Sequence, residues 1–163
     1  MRFLVRKIDI GKWRQTDIQR GEPPSADACT GCLRTQGNSL SVWAVQSEAD
    51  ADEGVLAQAT TFDHLDAIDV VLLEKSEVEA ANLKLDATRG RTAVADLADR
   101  HLNIIELNYR SLGAVADLVI RRICDGAVKR YTKGDLVRLL KAAINANRLN
   151  PADLRPNVSK KVA

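Results

Sequence analysis

Cys29-Thr30-Gly31-Cys32 sets two thiols three residues apart. That spacing can grip one face of a zinc ion, or form a redox disulfide where a helix N-terminus lowers one thiol pKa. A closed zinc site needs two further ligands, yet there is no second CxxC, and His64, His101 and Cys124 are scattered without ligand spacing. Redox chemistry wants the pair to follow a strand, whereas Pro23-Pro24 and a polar loop precede it here. Cys29 and Cys32 therefore read first as small buried thiols, with zinc as the metal alternative; no other cofactor is expected.

Both histidines stand near carboxylates, His64 between Asp63 and Asp66 and His101 just after Asp99-Arg100. A carboxylate that orients an imidazole makes it a base at neutral pH. Each sits in a generally charged stretch, so both read as surface histidines. Asp69, Glu74 and Lys75 invite comparison with metal-dependent hydrolases of nucleic acid, but Glu74 and Lys75 are adjacent and would point to opposite sides of a strand. GxSxG, HExxH, GxxxxGK[ST] and GxGxxG patterns are all missing. Catalysis has little to stand on.

Charge is segregated along the chain. Ser47 to Glu79 holds ten acidic residues and one basic, a net of −9, and Arg121 to Ala163 holds eleven basic and three acidic, a net of +8. The formal total of +2 hides both blocks. Such asymmetry bears on partners and association rates, not on fold. Arg121, Arg122, Lys129, Arg130, Lys133, Arg138 and Lys141 are the cations expected to meet a partner. Gathered on one surface, they would dock an acidic protein or another copy's acidic face, or neutralise DNA or RNA phosphates. Tyr131 is the block's only aromatic, which leaves base stacking little to work with.

These residues must be positioned by a chain of 163 residues with 45% apolar and 28% charged content, enough for a real core. Met1–Ile10 reads as a strand buried on both faces, Phe3 and Val5 on one and Leu4, Ile8 and Ile10 on the other. A polar loop covers 14–24, and Ser25 caps a short helix at 26–33. A strand follows at 40–45, then an acidic helix capped by Asp50 or Asp52 with Val55, Leu56 and Ala59 inward, then a buried strand at 68–73. Strand, helix, strand with links this short predicts a βαβ unit with a parallel pair. Ser76 opens a short helix to Asn82, and 86–91 is a flexible connector.

From 93 to 125, apolar residues recur at roughly helical spacing, predicting one long helix or two in line. A brief strand at 128–131 leads to a helix capped by Thr132 and Asp135, and Pro156 to Ala163 reads as a loose basic tail. The helices at 114–125 and 133–147 loosely suggest a helix-turn-helix, with a link longer than usual.

The expected fold is thus α/β (α+β as the variant), with a short, partly parallel sheet and a helical C-terminal half. It is read as one domain over 1–163: an αβ portion at 1–86, a helical portion at 92–150 and a basic tail at 151–163. Three cysteines and no signal-like N-terminus point to a reducing cytoplasm, and no membrane partner is expected. The expected function is a non-enzymatic binding or regulatory subunit, working by charge-complementary contact with a protein partner or by self-association. A nucleic-acid-binding module is the alternative, and a metal-dependent hydrolase comes third.

Overall fold

A computed structural model describes residues 1–14, 19, 21 and 23–162. In chain order its elements are β1 (Phe3–Ile8), α1 (Ile10–Trp13), α2 (Ala26–Cys32), β2 (Leu40–Val45), α3 (Ala51–Ala59), β3 (Ile68–Glu74) and α4 (Lys75–Ala80). There follow β4 (Lys84–Ala87), β5 (His101–Ile105), α5 (Tyr109–Cys124), β6 (Val128–Tyr131), α6 (Lys133–Asn145) and α7 (Pro156–Val162). Most of the polar loop expected at 14–24 lies outside the described residues, as does Ala163.

The six strands form one sheet in the order β4-β5-β2-β1-β3-β6. Every neighbouring pair is antiparallel. The α/β class holds, but the expected parallel pair does not form. β2 and β3 do run in the same direction with α3 between them, yet β1 is inserted between the two strands and pairs with both. A second crossover, β5–α5–β6, skips three strands on the opposite face. Reversing both strand direction and face leaves the two crossovers with the same hand.

Alternation along the strands sends side chains to two cores, as a sheet covered on both sides requires. Val5, Trp43, Val70 and Leu72 pack beneath α3, α6 and α7. Leu4, Val42, Val71 and Leu73 pack beneath α2, α4 and α5. α6 begins as its sequence dictates: Thr132 Oγ1 accepts from the Asp135 N–H at 3.2 Å, and the Asp135 carboxylate accepts from the Thr132 N–H at 3.0 Å. Two further expectations fail. The stretch 93–125 holds a 3-10 turn at Ala95–Arg100, then strand β5, and only then helix α5. Polar and apolar residues alternate over His101–Ile104, four residues that fit a helical stripe nearly as well as a strand, and pairing with β2 and β4 decides it. The basic tail is helix α7, with Val158 and Val162 in the core.

One irregularity shapes the molecule. β1 and β2 pair only from Phe3↔Val45 to Val5↔Trp43. Beyond that point β1 stays with β3 as far as Ile8↔Asp69, while β2 stays with β5 as far as Leu40↔Ile104. The sheet parts down its middle. Arg6 sits in the parting, its guanidinium donating to the Ser41 carbonyl at 2.8 Å and the Cys32 carbonyl at 2.9 Å. Its own burial pulls its pKa below the ordinary arginine value.

Above the parting, α3 lies so close to β1 that a Cβ on Gly54 would fall 2.8 Å from Val5 Cγ2 and 2.9 Å from Val5 Cβ. Gly54→Ala is expected to destabilise the fold by about 1–3 kcal/mol through overpacking, read by urea denaturation. In a Val5→Gly background the same change should cost clearly less, because every Val5 atom it would meet is then gone.

Candidate functional site

The parting opens into a cleft of about 980 Å³, walled by β2 and β5, the C-terminal end of α3, the connector after β4 and the start of α7's segment. Ser41, Trp43 and His101 form its floor. Antiparallel register sets Trp43 opposite His101 and Ser41 opposite Asn103, so Ser41 and His101 are diagonal neighbours on one face. His101 Nε2 hydrogen-bonds Ser41 Oγ. His101 Nδ1 lies 3.1 Å from the Thr88 carbonyl and 2.9 Å from Thr88 Oγ1. A carbonyl only accepts, which puts the ring proton on Nδ1 and leaves Nε2 to accept from the serine hydroxyl. Asn103 Nδ2 donates to Thr88 Oγ1 at 2.8 Å and fixes that side chain in turn. The indole of Trp43 meets the imidazole edge-on, centroids 5.0 Å apart. Burial lowers the His101 pKa against the smaller opposing effect of the Thr88 hydrogen bond.

The connector behaves as an anchored strap. Thr88 is held by His101, the Gly90 N–H donates to the Ala98 carbonyl at 2.8 Å, and the Ala93 N–H donates to Thr60 Oγ1 at 3.1 Å. Thr60 and Thr92 hydroxyls add a bond of 3.1 Å. Gly90 is required: a Cβ there would fall 2.4 Å from Trp43 Cη2 and 2.6 Å from His101 Cβ. Between the anchors, Arg89 and Arg91 are exposed along the cleft, faced by Arg155 and Asp153 on the other wall. Arg89 pairs with Asp99 at 3.4 Å and Arg155 with Asp63 at 3.5 Å, exposed contacts that water and ligands readily replace.

The cations singled out in the sequence are elsewhere, and most face the acidic block of the same molecule. Arg121 pairs with Glu77 at 3.0 Å, Arg130 with Asp69 at 3.3 Å, and the Lys129 ammonium donates to the Glu48 carbonyl. Arg122 is buried. It donates to the Leu72 carbonyl at 2.7 Å and reaches Glu48 at 2.7 Å and Glu74 at 3.4 Å. Arg148 grips Glu53 with both terminal nitrogens, at 3.1 and 2.7 Å, and Asp96 at 2.7 Å. Those hydrogen bonds raise its pKa and hold Asp96 below the usual carboxylate range. Tyr131 donates to Asp52 at 2.7 Å, and burial together with that carboxylate pushes its phenol pKa up. Arg138 pairs with Asp135 within α6 at 3.6 Å. Lys133 and Lys141 are exposed on α6 with no partner among the described residues.

α5 and α6 do not form a helix-turn-helix, because β6 lies between them and they cover opposite faces of the sheet. Asp69 and Glu74 point to opposite faces of β3 and are held by Arg130 and Arg122. Cys29 and Cys32 are free thiols on α2; Cys32 Sγ accepts from the Asp9 N–H at 3.1 Å, and burial raises the Cys29 pKa. No group of three potential metal ligands forms among the described residues. No helix there is long and apolar enough to cross a membrane. Sequence reasoning took His101 for a surface residue beside Asp99. Its real partners lie 60 and 13 positions away, and strand alternation at 101–105 was the one signal that could have exposed the pairing.

Two outcomes follow. The unfolded chain takes up a proton at an ordinary histidine pKa of about 6.5, before folded His101 does, so stability from the neutral ring is full above that pH and lost as pH falls through the folded value. The difference in Tm between wild type and His101→Gln should therefore shrink on going from pH 7.5 to pH 5. Arg122→Met should cost about 3 kcal/mol in denaturant unfolding, since it strands a buried carbonyl and Glu74, whereas Glu48→Gln should cost under about 1 kcal/mol because Glu48 is half exposed. Compared with family models, curated proteins and solved structures, the chain matches none, and the reading of the cleft rests on its own geometry.

Proposed function

We propose that this protein binds a small anionic organic molecule, carrying carboxylate or phosphate groups, in the cleft at the parted strands. The observation that carries this reading is the anchored strap, which fixes its backbone against Thr60, Ala98 and His101 while presenting Arg89 and Arg91 to the same space as Arg155. Arg6 adds a fourth guanidinium, and Asp153 is the cleft's only carboxylate among the described residues. The volume is of the size that small-molecule sites have. Planar guanidinium groups on a rigid backbone suit bidentate recognition of carboxylate and phosphate. Thermal-shift and calorimetric titration with pyrophosphate and with citrate check it. Saturable stabilisation is expected, weakened at least about tenfold in Kd by Arg91→Glu, a loss of about 1.4 kcal/mol per factor of ten. Equal affinity in that variant would refute the site.

A second reading keeps the protein partner. Lys133 and Lys141 on α6 and Lys160 on α7 remain exposed after the internal pairing, which favours docking of an acidic protein surface on that side. Salt-sensitive association, lost when the three become glutamate and measured by light scattering after size exclusion, is the expected result.

A further inference from the structure

We propose that Ser41 is a nucleophile activated by His101, and that the cleft hydrolyses a carboxylic ester bearing an anionic group. The inference rests on the anion-binding reading for its substrate class and on independent geometry for its chemistry. A serine hydroxyl needs a base within hydrogen-bond reach and a third group that orients the base. Ser41 Oγ contacts His101 Nε2, and the Thr88 carbonyl, 3.1 Å from Nδ1, holds the tautomer that leaves Nε2 free to accept. The ring is bordered by Trp43, which meets it edge-on, and by Gly90, where an added Cβ would lie 2.6 Å from His101 Cβ. Ser41 is exposed to the cleft, and Arg6 acts as a positioning residue by holding its carbonyl at 2.8 Å where β2 has lost β1. Arg89 and Arg91 supply positive potential to the same space.

The step balances with water as the second reactant. Nε2 takes the Ser41 proton as Oγ bonds to the acyl carbon, and the carbonyl electron pair moves onto oxygen. That pair returns and expels the alkoxide, which takes the proton from Nε2. Water repeats the sequence on the acyl-serine ester, its proton passing through Nε2 to Oγ. The carboxylic acid leaves and both residues are restored. The orienter is a neutral carbonyl, not a carboxylate, so the imidazolium is stabilised less than in a Ser-His-Asp triad and slow turnover is expected.

The test treats the full chain with a fluorophosphonate probe and reads intact mass and peptide maps, with circular dichroism of each variant alongside. One adduct is expected, on Ser41, absent in Ser41→Ala and slowed at least about 100-fold in His101→Gln. A wild-type protein that takes no adduct, or takes it at another residue, overturns the nucleophile and needs no variant to fold; equal labelling of Ser41→Ala with native circular dichroism overturns it as well. Pyrophosphate stabilisation, measured on the same samples, separates the two readings: stabilisation without an adduct defeats only this inference. An adduct without stabilisation supports the nucleophile and defeats the anion site, and with it the anionic group assigned to the substrate.

Discussion

The hydrogen-bonding of β1 governs this architecture. A central strand has two edges to satisfy, and buried backbone groups left unpaired are costly. β1 meets that demand on one side throughout, through six registered positions against β3 from Phe3↔Glu74 to Ile8↔Asp69. On the other side it lets β2 go after Val5. The orphaned edge of β2 then needs a donor, and the Arg6 guanidinium supplies it while also tying in the end of α2 through the Cys32 carbonyl. The cleft is thus a consequence of backbone accounting. Where the two strands part, the sheet layer itself opens, and Arg6, Ser41 and His101 line the space.

Charge plays a structural part that its linear distribution disguises. The acidic residues of α3, β3 and α4 and the basic residues of α5, β6 and the segment after α6 are brought together by the two crossovers. Arg122 stands at the centre of that meeting, spanning β3 and the turn before α3, with its guanidinium 5.9 Å from the centre of the Phe3 ring. Arg148 does the same between α3 and the 3-10 turn before β5. Blocks that look in the sequence like two docking surfaces are, to a large extent, one interface closed within the molecule.

Much of the fold was legible because it is written locally. Thr132 with Asp135, Ser25 before Ala26, and the β-branched run at 68–73 each declare an element without outside help. What was hidden is non-local. Nothing in 40–73 reveals that β1 lies between β2 and β3, so a real crossover was mistaken for a parallel pair. The short strand β5 borrowed the periodicity of the helix that follows it, and the mistake hid His101 on a sheet. The cleft was illegible for the same reason: Ser41, Arg91, His101 and Arg155 come from four separated segments and share no spacing.

The placement of β1 also bears on how the chain comes to be folded. Phe3 must wait for Val45 on one side and Glu74 on the other, so both margins of the innermost strand stay bare while later segments are still being made. Bare, apolar strand margins are templates for unwanted pairing between molecules. The sequence FLVRKI interrupts its own stickiness with Arg6 and Lys7, as charged gatekeepers do beside hydrophobic strands. Arg6, which bridges the gap in the finished sheet, is thus also one of the two charges that break the strand's apolar run.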